Sequence, residues 1–390
     1  MTRLLDQVWT QDRCAGCGLC VAACSKQVLE WDGEDHPRLR HIAKNIGLSK
    51  FDLDTCSFCQ KFCEAVCPRL EPAARLQPLT TVAARAVGTL PGGEPNDIVR
   101  NLLVAARGSG MIDGALMMDA DQTGTTQARV VSGAGEIAQA VGFQQIWTPL
   151  LEMLNRAVFD FGLTRLAVVS TPCGSQALRR LHDSKLERLA PYQKAIRLNV
   201  SLFCTGVYPP HSIRELVETG LNVPLASVRS ITALPRRNRL RVDLWDSTTR
   251  EMDLVEADKS LRAGCARCDD YLGESADVAV GCVGAPEGAA TVVARTPAGV
   301  AAVQNALQMK LLETADAVDA AALARASAEK GRRERAQAFD RLRILMLDAV
   351  RDPRQRAQVR RELDLLYGTT RSTLKKEDDG NAGCGDCSGC

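Results

Sequence analysis

The chain has 390 residues with a formal net charge of +2, 45% hydrophobic and 25% charged residues, enough for two or three domains around a sizeable core. A near-neutral balance and 4% aromatic residues argue against a nucleic-acid surface, which would need basic patches or base-stacking rings. Sixteen cysteines are too many for a reducing compartment unless most of them bind metal. Met1-Thr-Arg-Leu-Leu-Asp-Gln runs straight into polar residues, so no secretory leader is expected. No apolar run approaches the roughly 18 residues of a membrane span. A cytoplasmic location with no membrane span is the expectation.

Eight cysteines fall in two similar groups near the start. The first is Cys14-Ala-Gly-Cys17-Gly-Leu-Cys20-Val-Ala-Ala-Cys24 and the second Cys56-Ser-Phe-Cys59-Gln-Lys-Phe-Cys63-Glu-Ala-Val-Cys67-Pro68. The first fits the bacterial ferredoxin run C-x2-C-x2-C-x3-C, whose fourth cysteine ligates the other cluster. The second has three residues between Cys59 and Cys63 where that run has two, but keeps the closing Cys-Pro. Zinc sites use separated CxxC pairs rather than three-plus-one runs, and disulfides need an oxidising compartment. Two 4Fe-4S clusters with crossed ligation are therefore expected: Cys14, Cys17 and Cys20 with Cys67, and Cys56, Cys59 and Cys63 with Cys24. Between the groups, Trp31 to Pro37 reads as a turn and Ile42 to Phe51 as a short helix. Pro91-Gly92-Gly93 marks a break in a Pro-, Ala- and Gly-rich stretch.

From Asn96 helices and strands alternate. Helices are predicted at Ile98 to Ala106, ended by Gly108-Ser-Gly110, at Leu150 to Val158 and at Gln176 to Leu181. Strands are predicted at Gly114 to Met118, Leu166 to Ser170, Ile196 to Phe203 and Ala276 to Val280. Such alternation implies an α/β domain with a largely parallel sheet. Cys173 and Cys204 then follow two successive strands, at the carboxyl edge where open α/β sheets bind ligands. With the x2 pair Cys265 and Cys268 they make four ligands, enough for a third cluster, although a buried cysteine is commonly just a small core residue. Gly281-Cys282-Val-Gly284-Ala-Pro-Glu287-Gly288 is a glycine-rich loop after a strand, fit either for a phosphate or flavin contact or for a plain turn. Neither GxGxxG nor GxxxxGK[ST] occurs, so no Rossmann dinucleotide site or P-loop is supported.

Residues 302 to about 367 read mostly as helix. Lys330 to Arg361 holds eleven basic against four acidic residues, a solvated face or a docking surface for an acidic electron-transfer partner. The tail ends in Cys384-Gly-Asp-Cys387-Ser-Gly-Cys390, an incomplete cluster motif, and neither its role nor that of Cys282 follows from spacing. The four histidines, His36, His41, His182 and His211, lie in no motif, and no catalytic residue or proton donor is assigned.

Ile112-Asp-Gly-Ala, Val168-Val-Ser-Thr-Pro-Cys-Gly-Ser-Gln-Ala-Leu-Arg, Ser201-Leu-Phe-Cys, Gly264-Cys-Ala-Arg-Cys-Asp-Asp and Ala276 to Gly288 resemble, in this order, the beta subunit of coenzyme F-420-reducing hydrogenase and its relatives. These relatives include deazaflavin-dependent dehydrogenase subunits and ferredoxin-dependent reductases of chlorophyll precursors. The resemblance covers about residues 95 to 300. It implies FAD and at least one 4Fe-4S cluster, with ligation by Cys173, Cys204, Cys265 and Cys268. Flavin contacts are carried onto Gly108, Gly110, Gly142, Thr171, Pro172, Gly281, Gly284, Glu287 and Gly288. The family's Ser-Gly-Gly ahead of its first helix is replaced by Pro91-Gly92-Gly93-Glu94-Pro95, and Cys282 stands where Ser or Gly is usual.

The expected organisation is an α+β ferredoxin-like two-cluster domain (1–75), a linker (76–95), and an α/β FAD and 4Fe-4S domain (96–305). A helical extension (306–370) and a Cys-ended tail (371–390) follow. The expected function is an iron–sulfur flavoprotein oxidoreductase subunit that converts hydride into single-electron transfer, working with a redox protein or other subunits and compatible with homo- or hetero-oligomers. Two alternatives stand beside it: a non-catalytic electron-transfer subunit of a hydrogenase or heterodisulfide-reductase-like complex, and a ferredoxin-dependent reductase of a chlorophyll-type substrate.

Overall fold

A computed structural model describes residues 3–31, 36–39, 61–88, 91–120, 126–140, 142–143, 145–234, 239–332, 350 and 352–359. The expected helix at Ile42 to Phe51, Cys56, Cys59 and the tail cysteines lie outside the described residues.

The N-terminal module carries a two-stranded pair, β1 (Leu29–Glu30) and β2 (Arg38–Leu39), and two short helices, α1 (Leu19–Ala22) and α2 (Phe62–Ala65). The rest is built on an eight-stranded sheet of β3 (Thr80–Ala86), β4 (Gly114–Ala120), β5 (Thr126–Val131), β6 (Leu166–Ser170), β7 (Ile196–Leu202), β11 (Val278–Gly281), β12 (Ala290–Ala294) and β13 (Leu312–Thr314). Its order is β13-β3-β12-β11-β7-β6-β4-β5. The four central strands β11, β7, β6 and β4 are mutually parallel, and antiparallel strands flank them on both sides. A separate antiparallel sheet of β8 (Val228–Leu234), β9 (Arg239–Leu244) and β10 (Thr249–Asp253) is inserted between β7 and β11.

All five residues of β6 are buried, as expected of a parallel strand covered on both faces. One face is covered by α3 (Pro95–Gly108) and α5 (Pro297–Gln308), whose Ile98, Leu102, Val303 and Ala306 pack on Val169, Val200 and Val280. Helix α3 starts at the capping box Glu94/Asp97 with Pro95 in its first turn. The opposite face is covered by α4 (Pro172–Asp183) and by the N-terminal module itself. Leu19, Ala22, Phe62 and Val66 of the module join Leu151, Val168, Leu178 and Leu181 in one apolar cluster.

The parallel sheet expected from the alternating pattern is present at the centre. The segment read as a linker contains β3, which pairs with β12 and β13. The segment read mostly as helix from 302 contains β13 between two helices, and residues 320–332 are helical (α6). Leu150 to Val158 forms a 3-10 turn (Leu150–Met153) followed by a wide turn (Arg156–Asp160) rather than one regular helix.

Candidate iron–sulfur relay

The first loop, 14–20, is held against the sheet through its backbone. Leu151 N–H donates to Cys17 O at 2.9 Å, and Trp147 Nε1 donates to Gly16 O at 2.9 Å. Asn155 Nδ2 reaches Ala22 O at 2.9 Å, and Arg180 Nε reaches Ala65 O at 3.0 Å. These bonds fix the cysteine loop to the eight-stranded domain rather than leaving it on a tether. Gly16 has φ +73°, and a Cβ there would run into Arg262 Nη1 and Trp147 Nε1 at 1.7 and 2.4 Å. Arg262 lies over the Trp147 ring at 4.4 Å, placing a buried guanidinium beside Cys14.

Cys14, Cys17, Cys20 and Cys67 line one cavity together with Trp9 and Trp31. Burial pushes Cys14 up to about 11, partly offset by Arg262, with the neighbouring Cys67 charge adding to the rise. Cys17 and Cys20 are raised by the same burial and by their neighbouring thiolates, Cys67 included. Burial also raises Cys67. Four thiols that would be protonated when alone suit a group that displaces their protons with iron. Cys67 thus stands beside the first three. Cys63 lies in the same apolar cluster as Cys24 and within electrostatic range of Cys20.

The second quartet forms at the carboxyl edge of the parallel strands. Cys173 is in the first turn of α4, just past β6, where the helix N-terminus favours a thiolate. Cys204 follows β7, its N–H bonded to Tyr271 O at 3.1 Å. Cys265 and Cys268 come from the turn Ala263–Arg267 and the residue after it, and Val207 N–H donates to Cys265 Sγ at 3.4 Å. Burial raises Cys173, and it pushes Cys204 up to about 12. Burial opposes ionisation of Cys268 too, but Lys330 and Arg69 outweigh it and its net shift is downward. Cys173 feels the charge of Cys265 and Cys268, and Cys204 that of the other three, as corner ligands of one polynuclear group would. Among the described residues no three His, Cys, Asp or Glu side chains close on a single ion.

The quartets touch. A Cβ on Gly264 would lie 1.8 Å from the Cys14 carbonyl oxygen, so only glycine lets the two loops meet. Cys173 Sγ lies 3.8 Å from Ala15 O. Arg69, two residues after Cys67, donates to Arg267 O at 3.1 Å and to Gly264 O at 3.4 Å. An apolar cavity between the quartets is lined by Cys17, Cys173, Trp147, Phe143, Met118 and Thr171.

The residues expected to contact a flavin do not form one group. Thr171 and Pro172 lie at this cavity's side of the sheet, and Gly142 (φ +85°) precedes its Phe143. Gly108 and Gly110 sit at the far end of α3, against Met309 and open space. In the glycine-rich loop, Gly281 packs on Phe203 and Gly284 on Val318, Asp319 and Leu323, while Gly93 presses on Gly288. Glu287 is in the same loop, six residues past the end of β11. Sequence reasoning missed Arg69, Arg262 and Lys330, because a charged residue carries no signal of burial until the fold encloses it.

Residues 13–69 match the family model "4Fe-4S dicluster domain". Residues 163–320 match the family model for the C terminus of the coenzyme F420 hydrogenase/dehydrogenase beta subunit. Residues 163–320 are thus similar to the C-terminal part of the coenzyme F420 hydrogenase and dehydrogenase beta subunits. It is 29% identical over 317 residues to an uncharacterized protein of Methanocaldococcus jannaschii, covering 76% of this chain and 87% of that one. It is 29% identical over 220 residues to the coenzyme F420 hydrogenase subunit beta of Methanothermobacter thermautotrophicus, covering 56% and 76%. It is 26% identical over 326 residues to the coenzyme F420-dependent sulfite reductase of Methanocaldococcus jannaschii, covering 78% of this chain but 48% of that one. A chain of the F420-reducing [NiFe] hydrogenase complex from Methanosarcina barkeri shares the fold, with a TM-score of 0.63 at 24% identity over 69% of this chain and 93% of that one. Among the described residues no helix is long and apolar enough to cross a membrane.

Proposed function

We propose that this chain is an iron–sulfur electron-transfer subunit of an oxidoreductase served by coenzyme F420, with three 4Fe-4S clusters and a flavin. The observation that supports the reading is the contact between the two cysteine quartets, which would set one redox group from the ferredoxin-like module against another at the sheet's carboxyl edge. Cys14, Cys17, Cys20 and Cys67 would hold the first cluster, Cys24, Cys56, Cys59 and Cys63 the second, and Cys173, Cys204, Cys265 and Cys268 the third. A flavin, when bound, supplies the exchange of a hydride pair for single electrons that clusters cannot perform. The apolar cavity beside Thr171 and Phe143 is the nearest opening to the third quartet, and at about 30 Å³ it would admit a ring system only if its side chains moved apart. There Trp147, Met118 and Phe143 exclude water, and Thr171, whose Oγ1 is 3.1 Å from Cys173 Sγ, ties the cavity wall to the third quartet. The residues around the thiolates tune the clusters through burial and through N–H and cationic contacts to sulfur. Electrons would leave through the N-terminal module to another subunit or a redox protein.

Anaerobic stopped-flow mixing with reduced F420 tests the reading. Rapid bleaching in the flavin and cluster bands, with one flavin per chain on analysis, is the expected result. A second reading is an electron-transfer subunit without its own hydride site. It is favoured by the glycine-rich loop 281–288, whose close approaches are taken up by the chain's own Phe203, Val318 and Gly93. Absence of flavin and no response to any hydride donor, in a chain that still holds its iron, would establish it instead.

A further inference from the structure

Two cations from distant parts of the chain, Lys330 buried and Arg69 half-buried, converge on the third quartet. Arg69 comes from the ferredoxin-like module. Lys330 comes from α6, ten residues past the end of the matched beta-subunit domain at 320. Lys330 is only 6% exposed, and its Nζ donates to Cys204 O at 2.5 Å and to Asp270 O at 2.9 Å. It thereby ties together two of the three segments that supply the quartet. Asp270 is itself buried and fixed, accepting from Gln176 Nε2 at 2.9 Å and from the Glu274 N–H at 3.2 Å.

The two cations have different reach. Arg69 acts on Cys14 and Cys67 as well as on Cys173 and Cys268, so it belongs to both quartets. Lys330 acts on Cys204 and Cys268. A cluster held by four thiolates is anionic and gains one more negative charge on reduction. A fixed ammonium at low dielectric stabilises that extra charge far more than it would in water.

Building on the three-cluster reading, we propose that Lys330 is a positioning residue that selectively raises the reduction potential of the third cluster. It makes that cluster the electron sink beside the flavin cavity and leaves the first cluster's potential to Arg69 and Arg262. The helical extension is thus a redox-tuning element rather than a passive tail.

The test is an EPR-monitored potentiometric titration of the full chain, with the third-cluster signal assigned as the one missing from Cys204→Ala. In Lys330→Met the expected result is full iron content, an unmoved first-cluster signal and a third-cluster potential lowered by about 59 mV or more, about tenfold in the one-electron equilibrium. Lys330→Arg should restore the potential. If Met strips the cluster, Lys330→Gln, which keeps a donor but no charge, decides. Iron retained at a lowered potential in Gln, or iron lost in Gln and kept in Arg, supports the charge requirement. An unchanged potential in an iron-replete Met or Gln variant overturns it, as does loss of the cluster in all three. A wild-type chain with no Cys204-dependent signal would instead sink the three-cluster reading, a distinct result.

Discussion

Cys14, Cys17 and Cys20 sit on one loop of seven residues and need only Cys67 to complete their set, whereas Cys173, Cys204, Cys265 and Cys268 are drawn from three segments spread over 96 residues. The first quartet is dictated by local spacing: two residues between cysteines turn neighbouring thiolates toward one group. The second exists only because β6 and β7 are adjacent and parallel, so that residues just past each strand end meet at one edge. The flanking charges differ in the same way, since Arg69 lies two residues after Cys67 while Lys330 arrives from 62 residues beyond Cys268. A motif-built site tolerates change elsewhere in the chain. A topology-built site depends on every element that sets the sheet edge.

That contrast is open to direct attack. The largest effect is expected from removing ligands. Cys20→Ala should cost about four irons per chain and leave the third-cluster signal in place, while Cys204→Ala should cost the same number and spare the ferredoxin-type signals. Iron and acid-labile sulfide assays with EPR check both, and loss of all clusters in either variant would mean that the quartets do not assemble independently.

An intermediate effect is expected where the quartets meet. Gly264→Ala drives a methyl group into the Cys14 carbonyl, so it should destabilise the chain by about 1–3 kcal/mol in thermal unfolding and loosen the module from the sheet edge. Gly135→Ala is the control, since a Cβ there meets nothing within 4 Å. Equal stability of the two variants would show that the loop contact is not tight.

The smallest effect lies away from both quartets, in the turn that sets the start of β4. The Asp113 carboxylate accepts from Thr164 N at 3.0 Å, Thr164 Oγ1 at 2.9 Å and Arg165 N at 3.0 Å. Burial opposes its charge, but these bonds win and hold its pKa below the ordinary carboxylate value. Its contribution is therefore present above about pH 4 and lost as pH falls through the lowered folded value. Asp113→Asn should cost about 1 kcal/mol, discounted for partial exposure, at neutral pH. It should also flatten the acid limb of a stability-against-pH curve, and an unchanged acid limb would remove Asp113 from the account.

Much of the first quartet was legible in the sequence because its information is short-range: spacing, the closing Cys-Pro and the flanking glycines. The strands that precede Cys173 and Cys204 were also legible, since Leu166-Ala-Val-Val-Ser is an apolar run and Ile196 to Phe203 alternates apolar with polar residues, both bounded by clear breaks. The flanking antiparallel strands were not. β3 lies in a Pro-, Ala- and Gly-rich stretch that reads as linker, and its pairing with β12 is about 200 residues away in the chain. The three-stranded insert β8–β10 alternates Arg and Asp with apolar residues and gives only a weak signal. The glycines expected to cradle a flavin could not be told from glycines that allow close chain packing, because both uses demand the same missing Cβ. Gly281 and Gly284 serve the second use.

The central claim is that the two quartets hold adjacent clusters forming one path between the sheet edge and the N-terminal module. Its most direct measurement is the EPR spectrum of the fully reduced chain compared with that of Cys20→Ala. Adjacent paramagnetic clusters should give a split or broadened third-cluster signal that collapses to a simple rhombic spectrum when the first cluster is removed. A wild-type spectrum equal to the sum of independent signals, with the third unchanged in Cys20→Ala, would contradict the account.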